Sequence, residues 1–203
     1  MNPPLINIVL DVESLGTDEN AAIIQIGAAI PEFDRAHIGY IDSYFIATIS
    51  YDECLRKIQS KVFTQSNDAM QWWENQPSRL KVFSGQQTYD SALGYFNLWV
   101  EAIKIQSKKN VALWGNGSDF DNRLLAYTMS ALGFKLPWEF RNNRDLRTLR
   151  ALFPLTSSAP SWSNAPVDFA PGFRKHTALG DAMMEARVLH ATWESYPHLH
   201  GVL

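Results

Sequence analysis

Residues 5–30 read LINIVLDVESLGTDENAAIIQIGAAI. The first six are apolar but for Asn7 and rich in β-branched side chains, the signature of a central strand buried on both faces and ending at Asp11. A turn over residues 14–20 leads into a second strand at 21–30, stopped by Pro31. Residues 40–49 suit a third strand, with Gly39 serving the turn before it. Short connections among three strands imply an antiparallel meander at the start of a mixed sheet.

Beyond the meander the pattern turns helical. Residues 67–76 start at Asn67, a plausible N-cap, and stop before Pro77. Residues 90–105 place Leu93, Phe96, Leu98, Val100 and Ile103 at near-helical spacing. Residues 108–114 read as a fourth strand, closed by Gly115-Asn116-Gly117. Ser118 then caps a helix that runs to about Leu132, with Gly133 past its end. A short helix is expected at 145–152 and a last one at 178–195. Between them, residues 154–172 carry Pro154, Pro160, Pro166 and Pro171, which predicts a long loop and, from its length, a functional flap.

The 203 residues fit one domain spanning 1–203. A single cysteine, Cys54, excludes an internal disulfide and a cysteine-rich zinc site. No apolar run approaches the ~18–20 residues that a membrane span needs. Met1-Asn2-Pro3-Pro4 lacks the basic stretch of a signal peptide, so a cytoplasmic location is expected. The net charge of −3 argues against coating a duplex electrostatically, but bound divalent cations would offset the acids of an enzyme that holds one strand end.

Three clusters carry chemistry. Asp11 and Glu13, two apart on an extended segment, point to one face at the end of a buried strand. Two acids there are costly unless a cation neutralises them, and hard oxygen ligands suit Mg²⁺ or Mn²⁺. Taken alone, an Asp-x-Glu is more often a solvated loop entry. Asp119 and Asp121 fall where a strand turns into a helix, so the helix dipole explains both and at most one should face a common site. His176 precedes the last helix and Asp181 lies in its first turn, again with a dipole explanation for the acid.

In this order, Asp-x-Glu, Asn-x3-Phe-Asp and His-x4-Asp resemble the DEDDh branch of the DnaQ-like 3'→5' exonucleases, over nearly the whole chain. Ile23-Ile24-Gln25-Ile26-Gly27-Ala28 is similar to that family's second strand, and Ser14-Leu15-Gly16-Thr17 to the loop that cradles the terminal nucleotide. Trp72-Trp73, Trp114-Gly115-Asn116-Gly117 and Arg144-Asp145-Leu146-Arg147-Thr148 resemble exonuclease A of T-even phages and the mycobacterial-type exoribonucleases.

The resemblance implies an α/β, ribonuclease H-like mixed sheet, an antiparallel meander plus parallel strands, flanked by helices. It implies a metal-dependent 3'→5' exonuclease that releases 5'-mononucleotides from a single-stranded 3' end, with a slight tilt toward DNA over RNA. Two Mg²⁺ or Mn²⁺ ions would be held by Asp11, Glu13, Asp121 and Asp181, with His176 as general base. The family's pattern puts the ligand directly after the aromatic, which selects Asp121 over Asp119. Ser14, Leu15, Gly16, Thr17, Asn116, Phe120, Trp73 and Arg147 would contact substrate, Leu15 as a wedge against the terminal base. One of the paired tryptophans would stack on a base while its neighbour packs inside. Asp145 would orient a neighbouring backbone or arginine. Homodimers occur among such enzymes. A catalytically silent nucleic-acid-binding domain and a hydrolase of very short oligonucleotides are the competing readings.

Overall fold

The computed structural model describes residues 4–155, 160 and 174–200. Its strands are β1 (Leu5–Ser14), β2 (Ile23–Ala29), β3 (Tyr44–Thr48), β4 (Asn110–Gly115) and β5 (Asn143–Asp145). The helices are α1 (Glu32–Arg35), α2 (Tyr51–Gln59), α3 (Asn67–Glu74), α4 (Arg79–Val82), α5 (Tyr89–Ser107), α6 (Asp121–Ala131), α7 (Leu146–Leu152) and α8 (Ala178–Ser195). They surround one sheet in the order β3-β2-β1-β4-β5. β1–β2 and β2–β3 are antiparallel, whereas β1–β4 and β4–β5 are parallel, giving a mixed sheet with β1 at its centre. The flap expected at 154–172 lies largely outside the described residues.

The period of two along β1 sorts its side chains between two cores. Ile6, Ile8, Leu10 and Val12 join the larger one, with α2, α3, α4, α5 and α6. Val9 turns to the other face and packs with Ala182, Ala186 and Leu189 of α8 and Leu146 and Leu149 of α7. Asp11 and Glu13 continue the Val9 series, so β1 directs both acids toward α8.

A glycine lets α8 come close. Gly27 of β2 pairs with Asp11, and a β-carbon there would lie 2.2 Å from the backbone of Ala178 and Leu179. The buried Gln25, two residues earlier on the same face, accepts the Ala178 N–H at 2.8 Å and so caps the helix. Gly27→Ala is therefore expected to destabilise the fold by about 3 kcal/mol, the upper end for overpacking. It should also lower activity by moving Asp181 away from Asp11. Urea denaturation measures the first effect, and a change below ~0.5 kcal/mol, the scale of a neutral surface substitution, would show that α8 does not need this gap.

Local chemistry places several elements differently from the sequence pattern. Residues 51–59, which the pattern leaves unassigned, form α2, whose N-cap Ser50 accepts the Glu53 N–H at 3.1 Å. Ser50-x-x-Glu53 is the sequence signature of a capping box, of which half is formed: the Ser50 N–H donates to the Gln87 carbonyl and the Glu53 carboxylate pairs with Arg56. Ser66, not Asn67, caps α3 by accepting the Ala69 N–H. α6 begins at Asp121 without a side-chain cap, so Ser118 belongs to the preceding turn. β5 is three polar residues long and carries no alternation of its own; it exists because β4 offers an edge.

Candidate active site

Four elements meet at the carboxyl end of β1. Asp11, Glu13 and Asp181 bring one carboxylate oxygen each within 4.8 Å of one another. Asp181 lies in the first turn of α8 and receives the backbone N–H of His176 on its Oδ2 at 2.8 Å. Asp121 opens α6 from the other side. β4 pairs with β1 only as far as Leu10, and beyond that end the Val12 N–H donates to Asp121 Oδ1 at 3.3 Å. At Gly115 a β-carbon would meet Asn122 Oδ1 at 2.5 Å and Asp121 Cβ at 3.1 Å, so the strand's end is bare where α6 abuts it. Of the two acids in Asp119-Phe120-Asp121, the buried Asp121 lines the cleft; Asp119 is exposed and lends its carbonyl to Arg123.

The cleft encloses about 910 Å³ and is lined by Asp11, Glu13, Asp121, His176 and Asp181, with Asn116, Phe120, Trp72, Arg147 and Arg150. A second hollow of about 580 Å³ shares Val12, Glu13, Trp72 and Phe120 with it and extends past Ser14, Gly16 and Thr17. His176 has φ +57°, a left-handed conformation uncommon for a residue with a side chain. Its ring meets the edge of Trp72 at a centroid distance of 5.1 Å. Arg150 donates to Asn116 Oδ1 at 3.3 Å, and the Arg147 guanidinium lies over Gly117, whose φ of +119° suits a residue without a β-carbon. Arg144 turns away to bond the Arg141 and Asn143 carbonyls. Asp145 accepts the N–H groups of Ser118 and Thr148 at 2.7 Å, so it orients backbone.

Two expected substrate contacts need correction. Trp73 is 1% exposed and donates its indole N–H to the Ser14 carbonyl at 2.9 Å, so it supports the loop and cannot stack on a base. Trp72, 43% exposed, is the ring that faces the cleft. Leu15 is fully buried in the larger core, where a wedge has no access to a ligand. Ser14 spends its hydroxyl on the Gly16 carbonyl. The sequence pattern also missed Glu185, one helical turn after Asp181, which lines the same cleft at 6% exposure. The i, i+4 spacing from Asp181 was the available signal.

The acids repel one another in a dry setting. Burial first, then Asp181 and Asp121, push Glu13 up to about 8. Burial also raises Asp121, to about 7, against hydrogen bonds from the Val12 and Asn116 backbone and the charge of Arg147. Asp11 is raised well above the carboxylate range by burial and by Asp121, Glu13, Glu185 and Asp181. An all-oxygen donor set of this kind fits a hard divalent cation.

Linkage gives this arrangement a sign. Unfolded carboxylates titrate near ~4, and in the folded protein Glu13 and Asp121 hold their protons to about 8 and about 7. Their contribution to the cation-free fold is complete below the unfolded values and is lost as pH rises through the folded ones. A cation that binds the ionised cluster must displace those protons at low pH and none at high pH. The gain in melting temperature on adding Mg²⁺ is therefore expected to be small at pH 5.5 and several-fold larger at pH 8. Thermal denaturation at fixed ionic strength measures it, and a gain independent of pH would dissociate the acids from the cation.

A family model described as the 3'-5' exoribonuclease Rv2179c-like domain matches residues 6–193. No curated protein matches the sequence. Among solved structures, the nuclease domain of 3'hExo, a DEDDh family member bound to rAMP, superposes with a TM-score of 0.56 at 14% identity, over 93% of this chain and 92% of that one. The RNase domain of the yeast Pop2 protein gives 0.52 at 11% identity, over 96% of this chain and 78% of that one. Those identities speak to fold, which is ribonuclease H-like here as in both neighbours. The chain belongs to the family of 3'-5' exoribonuclease Rv2179c-like domains, and with it to the DEDDh-type 3'→5' exonucleases.

Proposed function

We propose that this chain, as a single catalytic domain in the cytoplasm, removes nucleotides from the 3' end of single-stranded nucleic acid and releases 5'-mononucleotides. The observation that carries the proposal is the convergence of Asp11, Glu13 and Asp181 within 4.8 Å, in one cleft with Asp121 and His176. Asp11, Glu13 and Asp181 would hold one Mg²⁺ or Mn²⁺, and Asp121 with Asp11 a second. Such a pair, when bound, activates water and offsets charge on the entering and leaving oxygens. The chain's own groups do the rest. His176 takes the proton of the attacking water, and burial, its principal perturbation, lowers its pKa and keeps the imidazole neutral near pH 7. Arg147 and Arg150, which line the same cleft, supply positive charge to the phosphates, and Trp72 offers a ring for the terminal base. Asn116, Phe120, Gly16 and Thr17 line the remainder of the path.

The family's description as exoribonucleases favours RNA over the slight tilt toward DNA that the phage-type motifs carry. A homodimer is compatible with this reading. Uniformly labelled single-stranded RNA and DNA, incubated side by side with Mg²⁺ or Mn²⁺, are expected to yield 5'-mononucleotides from the 3' end, RNA faster. A chelator should abolish release. Failure to release mononucleotides from either polymer with both cations would overturn the proposal.

A further inference from the structure

Glu185 is a buried acid that the reaction just described does not use. At 6% exposure its Oε2 has no hydrogen-bond partner and its carboxylate no ion pair among the described residues. Residues 1–3, 156–159, 161–173 and 201–203, which lie outside the description, contain no lysine, arginine or histidine. Arg147 and Arg150 line the same cleft and favour its charge without pairing with it directly. A buried carboxylate oxygen that lacks a direct partner is still costly, and a fold retains one where something in the working protein compensates it. Glu185 is placed for that. It stands one turn after Asp181 on the α8 face that meets β1, and it lines the cleft with Asp11 and Asp121.

We infer that Glu185 is a fifth carboxylate of the cation centre, a positioning residue on the Asp11–Asp121 side that receives hydrogen bonds from the hydration shell of the second cation. The inference rests on the proposed function, since it presupposes two cations. Geometry supports the side chosen: Asp11, Glu13 and Asp181 form the group whose carboxylate oxygens lie within 4.8 Å of one another, and Glu185 stands outside that group while sharing the cleft with Asp121. Acids that hold hydration or ligands in place around a metal commonly change its affinity 10–100-fold when removed.

Isothermal titration of the metal-free protein with Mn²⁺ tests this without reference to turnover. The wild type is expected to show two binding events, and Glu185→Gln to weaken the looser one about 10–100-fold while leaving the tighter one within about twofold. The same variant should melt higher than the wild type in the absence of metal at pH 8, because it removes a carboxyl group buried without a direct partner; a residue retained for packing alone would lower it. Glu185→Met, similar in volume and without hydrogen-bonding capacity, gives a second variant should the amide misfold. Two unchanged events, or loss confined to the tighter one, would overturn the role of Glu185 and leave the proposed function standing. A single wild-type event removes the second site and this inference with it. No Mn²⁺ binding by the wild type would bring down the proposed function itself.

Discussion

Asp11→Asn is expected to lower hydrolysis by about 10³-fold or more, the scale of losing a group on which a whole catalytic unit depends. Asp11 is the acid that the others surround: Asp121, Glu13, Glu185 and Asp181 all raise its pKa, after burial. An amide of the same shape keeps the packing but withdraws the charge shared between the two proposed cations. The fold should gain from the change. With one repelling carboxylate fewer, the metal-free variant is expected to melt above the wild type at pH 8, and to gain far less from Mg²⁺. Turnover on labelled oligonucleotides and melting curves with and without Mg²⁺ measure the two effects. A variant with wild-type turnover would remove Asp11 from the chemistry. One that is inactive but also melts lower would place the residue in the structure instead.

The elements most legible in the sequence are those whose pattern is local. The apolar run before Asp11, the period of α5 and the full extent of α8 follow from periodicity and stop signals, and the structure has them within a few residues. The acid pair on one face of β1 was legible for the same reason, because a period of two needs no tertiary information. What escaped was set by contacts remote in sequence. Trp73 and Trp72 are equivalent in the sequence, and only the docking of α3 on the loop at Ser14 buries one and exposes the other. Leu15 lies inside because its N–H and carbonyl are tied to Ala22 and Ser66, which draws the loop onto the core. β5 needed the edge of β4, and the closeness of α8 needed Gly27 opposite Asp11, a pairing that no motif announces.

His176→Asn is expected to lower kcat by about 10²–10⁴-fold, the usual range for losing a general base. Asparagine is the informative replacement because it tolerates the left-handed backbone that His176 adopts at φ +57°. The backbone N–H that reaches Asp181 Oδ2 at 2.8 Å is then retained, so the arrangement of acids should be preserved. Affinity for Mn²⁺ is accordingly expected to stay within a few-fold of the wild type. The pH dependence separates a base from a substrate contact. Burial, the main influence, and the charge of Lys175 lower the His176 pKa, against the opposite pull of Asp181. The neutral imidazole thus persists to lower pH than an ordinary histidine would allow. Wild-type kcat should hold its plateau below the ~6.5 of a free imidazole and fall only once His176 is protonated. With Mn²⁺ kept saturating at each pH, so that protonation of the acid cluster does not limit the rate, that acidic limb should vanish in the asparagine variant and leave a low, flat rate. Should the limb survive the substitution unchanged, the proton goes elsewhere and His176 acts only by shaping the loop beside Trp72.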